Sequence, residues 1–294
     1  MSAEWVVTGA GVICRLGEEP HEVRARFAAE AAPEDRAIDL DARLTAHQLR
    51  RLDRLSQLVV AAGGAAARQS RLEQLDPART GVVVGTGLGC LEKTDAFLRG
   101  LAARGPDHAD PAAFPDSMDN APAAHCAIAW GCRGPSLTVS EREISGECAL
   151  ILAAILIETG HADAMLVAAG DTAHRHLRRL VPRLSPGLRP HEGATALVLE
   201  SAAAASRRGA SVVGRLLGFA QSAALSQAVA DAVAMAGLPT ETAEISAGRV
   251  TSRAGWCQGD GLLRALLALT GERPSIVARS ARGGAAAALV LAPP

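Results

Sequence analysis

Tyrosine is absent from the sequence, and four phenylalanines and three tryptophans are the only aromatics, 2% of 294 residues. A core must therefore be packed with alanine, leucine and valine. No apolar run is long enough to span a bilayer, so a membrane-crossing helix is not expected. Neither charge sign dominates: 30 Lys and Arg face 31 Asp and Glu, for a net charge of −1 and a pI near 6.7. That balance excludes a generic nucleic-acid or anionic-membrane surface. The six cysteines (Cys14, Cys90, Cys126, Cys132, Cys148, Cys257) show no metal-ligand spacing, and no metal or cofactor is expected. Most lie in apolar surroundings, as free thiols of a reducing cytoplasm do. The opening MSAEWVVTGAG carries no basic segment followed by an apolar one, so no export signal is read and a cytoplasmic location is expected. One further absence bears on chemistry: of eight histidines, the last is His191.

What is present is an alternation of short apolar runs and helical patterns. Trp5 to Thr8 read as a strand; Leu16-Gly17 and the charged stretch Glu18 to Arg26 lead into a helix, and a polar, irregular stretch follows over 30–46. Arg51 to Leu72 read as a helix with Leu52, Leu55, Leu58, Val59 and Ala62 on one face. Gly81 to Gly85 form a buried strand that runs into Gly85-Thr-Gly-Leu-Gly89, too sparse a glycine pattern to specify a dinucleotide. The Pro- and Asp-rich residues 103–124 read as a loop, and Ala164 to Ala169 as another strand. The second half is expected to run strand (211–219), helix (223–236), strand (243–247), helix (261–270) and strands at 275–279 and 286–292. Such alternation implies mixed sheets covered by helices. The expected division is an N-terminal half over 1–205 and a shorter C-terminal half over 206–294.

The stretch around which the chain is organised is Gly134-Pro-Ser-Leu-Thr-Val-Ser-Glu-Arg-Glu-Ile-Ser-Gly146. Ser136 to Ser140 read as a short strand. A sharp turn then leads into Glu147 to Thr159, an almost wholly Ala/Leu/Ile segment expected to be a helix buried on all sides and closed by Gly160. A turn of this kind presents one side chain at a helix N-terminus, where N–H groups and the helix dipole converge. Here that residue is Glu143.

This stretch resembles the nucleophile elbow of the β-ketoacyl synthases, the condensing enzymes of fatty-acid and polyketide synthesis. Their segment reads roughly G-P-S-x-T-V-S-T-A-C-A-S-G, and Gly134, Pro135, Ser136, Thr138, Val139, Ser140, Ser145 and Gly146 match it. So do the opening strand and its glycines, the G-V-V-V-G-T-G-x-G turn, Phe114-Pro115 with Asn120-Ala-Pro122, and Glu192 to Glu200. The resemblance implies a thiolase-like α/β fold of two fused βαβα-type halves. It also implies what is missing. Glu143 stands where the nucleophilic cysteine belongs. The family takes two histidines from its C-terminal half, where this chain has none: Trp256 stands at one of those positions, Thr251 replaces the adjacent lysine, and the loop carrying the other histidine is cut short at 247–250. Arg282 replaces the phenylalanine of the closing turn.

Decarboxylative condensation needs a thiolate to carry the acyl chain, imidazoles to polarise the second thioester and stabilise the carbanion, and an oxyanion hole. Replacing every side-chain member at once implies a silent site with no catalytic residue, in which Glu143, Trp256 and Arg282 are degenerate equivalents. Cys148 is expected to be a buried, inert thiol, and Cys257 has no histidine near it in sequence. Glu143 with Arg142 or Arg282 could form a buried ion pair. The expectation is a chain-length-factor-like subunit that pairs with an active ketosynthase as a heterodimer or higher assembly. Two alternatives stand beside it: a decarboxylase or acyltransferase that uses Glu143, and a non-catalytic homodimer that binds a lipid. The basic residues between 171 and 190 read as a solvated loop; Arg175, Arg178, Arg179 and Arg183 could alternatively dock an acidic acyl carrier protein.

Overall fold

The computed structural model describes residues 4–29, 38–184, 190–239, 244–247 and 261–294. The strands are β1 (Trp5–Ile13), β2 (Thr80–Gly85), β3 (Ser136–Val139), β4 (Ala164–Asp171), β5 (Gly193–Ser201), β6 (Gly214–Ser222), β7 (Glu244–Ala247), β8 (Ser275–Ser280) and β9 (Ala286–Ala292). The helices are α1 (Pro20–Ala28), α2 (Ala46–Arg51), α3 (Arg54–Ser70), α4 (Leu91–Arg104), α5 (Ala121–Trp130), α6 (Ser145–Glu158), α7 (Arg175–Leu184), α8 (Ala202–Arg207), α9 (Leu225–Ala236) and α10 (Gly261–Leu269). Among the described residues the strands form one mixed sheet of nine, in the order β3-β2-β4-β5-β1-β6-β9-β8-β7.

That order is nearly a palindrome, because the second half repeats the first. In the first, β2 runs parallel to β4, and β5 lies antiparallel between β4 and β1. In the second, β7 runs parallel to β8, and β9 lies antiparallel between β8 and β6. Only β3 has no counterpart among the described residues. The halves meet where β1 pairs with β6 over Trp5↔Leu216, Val6↔Arg215 and Val7↔Gly214. The expected boundary after residue 205 falls inside α8.

β1, β2, β4, β5 and β9 are buried on both faces, which is why they read as continuous apolar runs instead of alternating ones. On the inner face Val7, Val167, Leu197, Leu199, Val277, Leu289 and Leu291 share a core with Ala149, Leu150, Ala153 and Ala154 of α6 and Leu262, Ala265, Leu266 and Leu269 of α10. On the outer face of the first half, Val82, Val84, Leu166, Ala168, Ala196 and Val198 pack against α3 and α5. On that of the second half, Ile276, Ala278, Ala288 and Val290 pack against α9. The result is one sheet covered by α6 and α10 on its inner face and by α3, α5 and α9 on its outer face. Small side chains make the close packing possible: a Cβ on Gly11 of β1 would lie 2.2 Å from the Ala62 carbonyl oxygen of α3.

Several expectations are corrected. The helix read over Arg51 to Leu72 is two, because Leu52 is extended and Asp53 caps a new start by accepting the Leu55 and Ser56 N–H groups. Residues 91–104, for which the sequence carried no reading, form α4, none of whose residues is buried. The loop expected over 103–124 contains the end of α4 and the start of α5. α6 is not buried on all sides, since Ile155 is 41% exposed. The basic segment after residue 171 is a helix, α7, and not a loop; Leu177 and the buried Val181 lie one turn apart, and Pro182 falls in its last turn. The strand expected over 211–219 is displaced to β6, Gly214–Ser222.

Candidate active site

β3 delivers the chain to the turn, and β2 holds that turn from below. The Thr86 N–H donates to the Val139 carbonyl at 3.0 Å. Ser145 Oγ, at the first position of α6, accepts the Glu141 N–H at 2.9 Å and lies 2.7 Å from the Arg142 carbonyl and 3.0 Å from that of Thr86. Gly85 is required here: a Cβ would lie 2.3 Å from the Ser145 carbonyl oxygen. The 3-10 turn Arg142–Ile144 opens with Arg142 in the left-handed region at φ 53°, one of two non-glycine residues with positive φ among the described residues. Backbone strain of that kind, about 1–2 kcal/mol, is held where surrounding structure fixes the chain.

Above the turn sits the β8–β9 hairpin. Its tip, Ala281 to Ala285, is closed by the Ala281 N–H donating to the Ala285 carbonyl at 2.7 Å, and Gly283 and Gly284 take φ +118° and +99°. The Arg282 N–H donates to Glu143 Oε2 at 3.3 Å, and the Arg282 guanidinium lies 3.7 Å from Glu143 Oε1. Arg142 donates from Nη1 to the Arg282 carbonyl. Of the two partners the sequence offered for Glu143, the structure brings up Arg282, while Arg142 binds the hairpin backbone. The pair is not buried as expected: the Glu143 side chain is 16% exposed and that of Arg282 is 64%. Nor, among the described residues, does the carboxylate take an N–H from the first turn of α6.

Cys148 lies one turn further into α6, 4% exposed, with its thiol pushed up to about 12 by burial and, next, by the Glu147 charge. Gln221 of β6 donates to its sulfur at 2.7 Å. A protonated, enclosed thiol is no nucleophile. Cys14, Cys90 and Cys126 are also buried and free, and Cys132 is half-buried and free. Trp256, Thr251, Cys257 and the bypass 248–250 lie outside the described residues.

Sequence reasoning missed Glu147. It is fully buried on α6, 3.6 Å from the guanidinium of the equally enclosed Arg279 on β8. The carboxylate fills the place where a Cβ on Gly261 would sit, at 1.9 Å, so α6, α10 and β8 meet at one ion pair. A charged residue inside an apolar run was the available signal. The glycine cluster after β2 is not a phosphate cradle: Asp171 Oδ1 accepts the Gly87 N–H at 3.1 Å and the Leu88 N–H at 3.0 Å, and the Thr86 hydroxyl at 2.7 Å.

The four arginines of the expected docking segment separate into two kinds. Arg175 pairs with Asp95 of α4 at 2.8 Å, and Arg178 Nε donates to the Ala173 carbonyl at 2.8 Å. Arg179 and Arg183 are exposed, with no partner among the described residues. At the far side of the first half, β3 is an edge strand with Leu137 40% exposed, and Ile128 of α5 is 79% exposed. No helix among the described residues is long and apolar enough to cross a membrane.

Comparison with known proteins fits this geometry. A model of the β-ketoacyl synthase N-terminal domain matches residues 14–181. Nodulation protein E of Rhizobium sp. (strain N33) is 29% identical over 274 residues, covering 79% of this chain and 66% of its own. The 3-oxoacyl-[acyl-carrier-protein] synthase 2 of Vibrio cholerae is 26% identical over 258 residues, covering 74% of this chain and 62% of its own. The chain thus spans just under two thirds of the length of these curated relatives. Among solved structures, the ishigamide ketosynthase/chain length factor aligns with TM-score 0.82 at 21% identity, over 98% of this chain and 99% of that one. The type II PKS acyl-carrier protein in complex with its ketosynthase, AntDE:AntF, gives the same score and identity over 99% and 100%. At these identities the structures establish a thiolase-like fold.

Proposed function

Since the chain belongs to the β-ketoacyl synthase family, we propose that it is a non-condensing, chain-length-factor-like subunit that pairs with an active ketosynthase. One observation carries the reading. The family's turn is built in full, with Gly85, Ser145 and the β8–β9 hairpin in place, yet the group at the nucleophile position is Glu143, tied to the Arg282 N–H and guanidinium. A carboxylate can accept hydrogen bonds and charge there, but it cannot carry a thioester as a thiolate does. The sequence has no histidine beyond His191 to activate a second thioester. A scaffold retained with its chemistry removed fits a role in shape and assembly.

Pairing is supported by the open edge of β3, since an exposed edge strand flanked by apolar side chains is a template for another chain. Leu137 and Ile128 stand on that side. Carrier-protein docking is assigned to the outer face of α7, where Arg179 and Arg183 are uncommitted.

The test is co-expression with an intact ketosynthase, followed by co-purification and assay of condensation with malonyl and acyl carrier-protein thioesters. The expected outcome is a stable complex, no condensation by this chain alone, and none after Glu143→Cys. Condensation by the Glu143→Cys chain alone would overturn the reading. A second reading, an acyl-thioester decarboxylase using Glu143, is favoured by the carboxylate's position at the turn; turnover of malonyl thioesters by the isolated chain would select it.

A further inference from the structure

We propose that Asp95, His174 and His176 form a site for a borderline divalent transition-metal ion of the zinc class, where α4 meets the start of α7. His174 and His176 stand two residues apart, but Asp95 comes from a segment far from them in sequence, so spacing alone could not complete the set. His174 follows β4 directly, and its side chain is 6% exposed; His176 lies in the first turn of α7 and is 40% exposed. Asp95 comes from the second turn of α4. His176 Nε2 lies 3.4 Å from Asp95 Oδ1, and His174 Nε2 lies 3.8 Å from Asp95 Oδ2. One ligand atom of each residue falls within 4.8 Å of the others. The first two separations match neighbouring ligands of an ion held by bonds of about 2.0–2.2 Å, and the imidazoles need only a small closing movement.

The chemistry of the donor set selects the ion. Two imidazoles and one carboxylate suit zinc, nickel, copper or ferrous iron, while magnesium and calcium prefer all-oxygen sets. The Arg99 guanidinium, with Arg175 and His176, holds the Asp95 carboxyl far below the usual carboxylate range. Burial, with the neighbouring His176, lowers the His174 pKa. With one side facing solvent, three protein ligands leave room for water as a fourth.

Two guanidiniums compete for the same carboxylate: Arg99 Nε and Arg175 Nη2 each lie 2.8 Å from an Asp95 oxygen. Their side chains are 59% and 60% exposed, and ion pairs so placed contribute little and exchange readily with water. An incoming ion displaces them to solvent. The His174 ring accepts the His176 N–H at Nδ1 only at 3.4 Å, so moving its proton to Nδ1 gives up a weak contact.

The experiment is titration of the tag-free, chelator-treated full chain with Zn2+ by calorimetry, with Co2+ absorption as a geometric readout and Mg2+ as a control. One equivalent of Zn2+ should bind, with Co2+ weaker and Mg2+ silent. His176→Ala and Asp95→Asn should each weaken Zn2+ binding about tenfold or more, as ligand-shell losses do. His176 is half exposed, so its variant should keep the wild-type circular dichroism. The proposal is overturned by no saturable binding up to roughly 1 mM Zn2+, or by binding that both variants leave unchanged, which would place the ion at thiols or other histidines. It does not depend on the proposed function.

Discussion

Replacing Glu143 by Gln is the most direct probe of the altered turn. The Gln side-chain oxygen can still accept the Arg282 N–H, now 3.3 Å from Glu143 Oε2. What is lost is the charge pairing with the Arg282 guanidinium across 3.7 Å. At that separation two unit charges attract by about 1 kcal/mol in water. With the Arg282 side chain 64% exposed, measured pairs of this kind contribute roughly 0–1 kcal/mol. For a chain of this size the melting temperature should fall by no more than about 2–4 °C. The difference should shrink in roughly 0.5 M salt, where charges a few ångströms apart are strongly screened. Thermal unfolding of both proteins, with and without salt, checks this. A salt-insensitive fall equivalent to about 3 kcal/mol or more would mean that the carboxylate is part of a buried ionic network, and the half-open description of the site would be wrong. The same variant reports on chemistry: if it abolishes product in the assembled complex while leaving assembly intact, Glu143 has a chemical role.

Charge reversal at Arg179 and Arg183 should weaken binding of an acidic carrier protein and flatten its salt dependence, measurable by fluorescence anisotropy between about 0.05 and 0.3 M salt; unchanged affinity would leave α7 a solvated face. Gly85→Ala should leave little folded protein, because its Cβ would fall 2.3 Å from the Ser145 carbonyl oxygen; a variant with wild-type thermal stability would contradict the packing beneath the turn. Burial raises the thiols of Cys14 and Cys148 from 9.0 to about 11 and about 12. The folded state therefore keeps protons that the unfolded chain releases, so this stability is intact below pH 9 and is lost as pH rises through 11 to 12. The urea midpoint should fall between pH 8 and 10.5, and less steeply in a Cys14→Ala, Cys148→Ala variant. An identical slope would refute that assignment.

The alternation of apolar runs with helical patterns made the fold legible, because strands buried on both faces keep an unbroken apolar sequence. Gly134 to Gly146 gave the turn for the same reason: its glycines and serines are fixed by backbone contacts within the first half. What failed depended on tertiary context. The arginines of α7 dominate its composition, and its inward face amounts to little more than Leu177 and Val181. α4 was passed over although Leu91, Leu98 and Leu101 recur at helical spacing, and none of its residues is buried. Of the site, Glu143 and Arg282 could be named in sequence, but their meeting depends on where the β8–β9 hairpin lands. The Glu147–Arg279 pair joins separate elements, and the His174-x-His176 pattern could not show that Asp95 of α4 meets it.

The scarcity of aromatic rings turns the junction of the two halves into an optical reporter. Trp5 begins β1, is 2% exposed, donates its indole N–H to the Ala154 carbonyl of α6 at 3.2 Å, and lies 5.3 Å from the ring of Phe219 on β6. With no tyrosine to add background, emission excited at the red edge of the indole band arises from three tryptophans. A chain in which Trp130 and Trp256 are replaced would carry one fluorophore, wedged where both repeats join. Its emission would shift to the red when the halves part, even while each kept its own secondary structure. Separation of the repeats and melting of either one would then be read as two different signals in a single experiment.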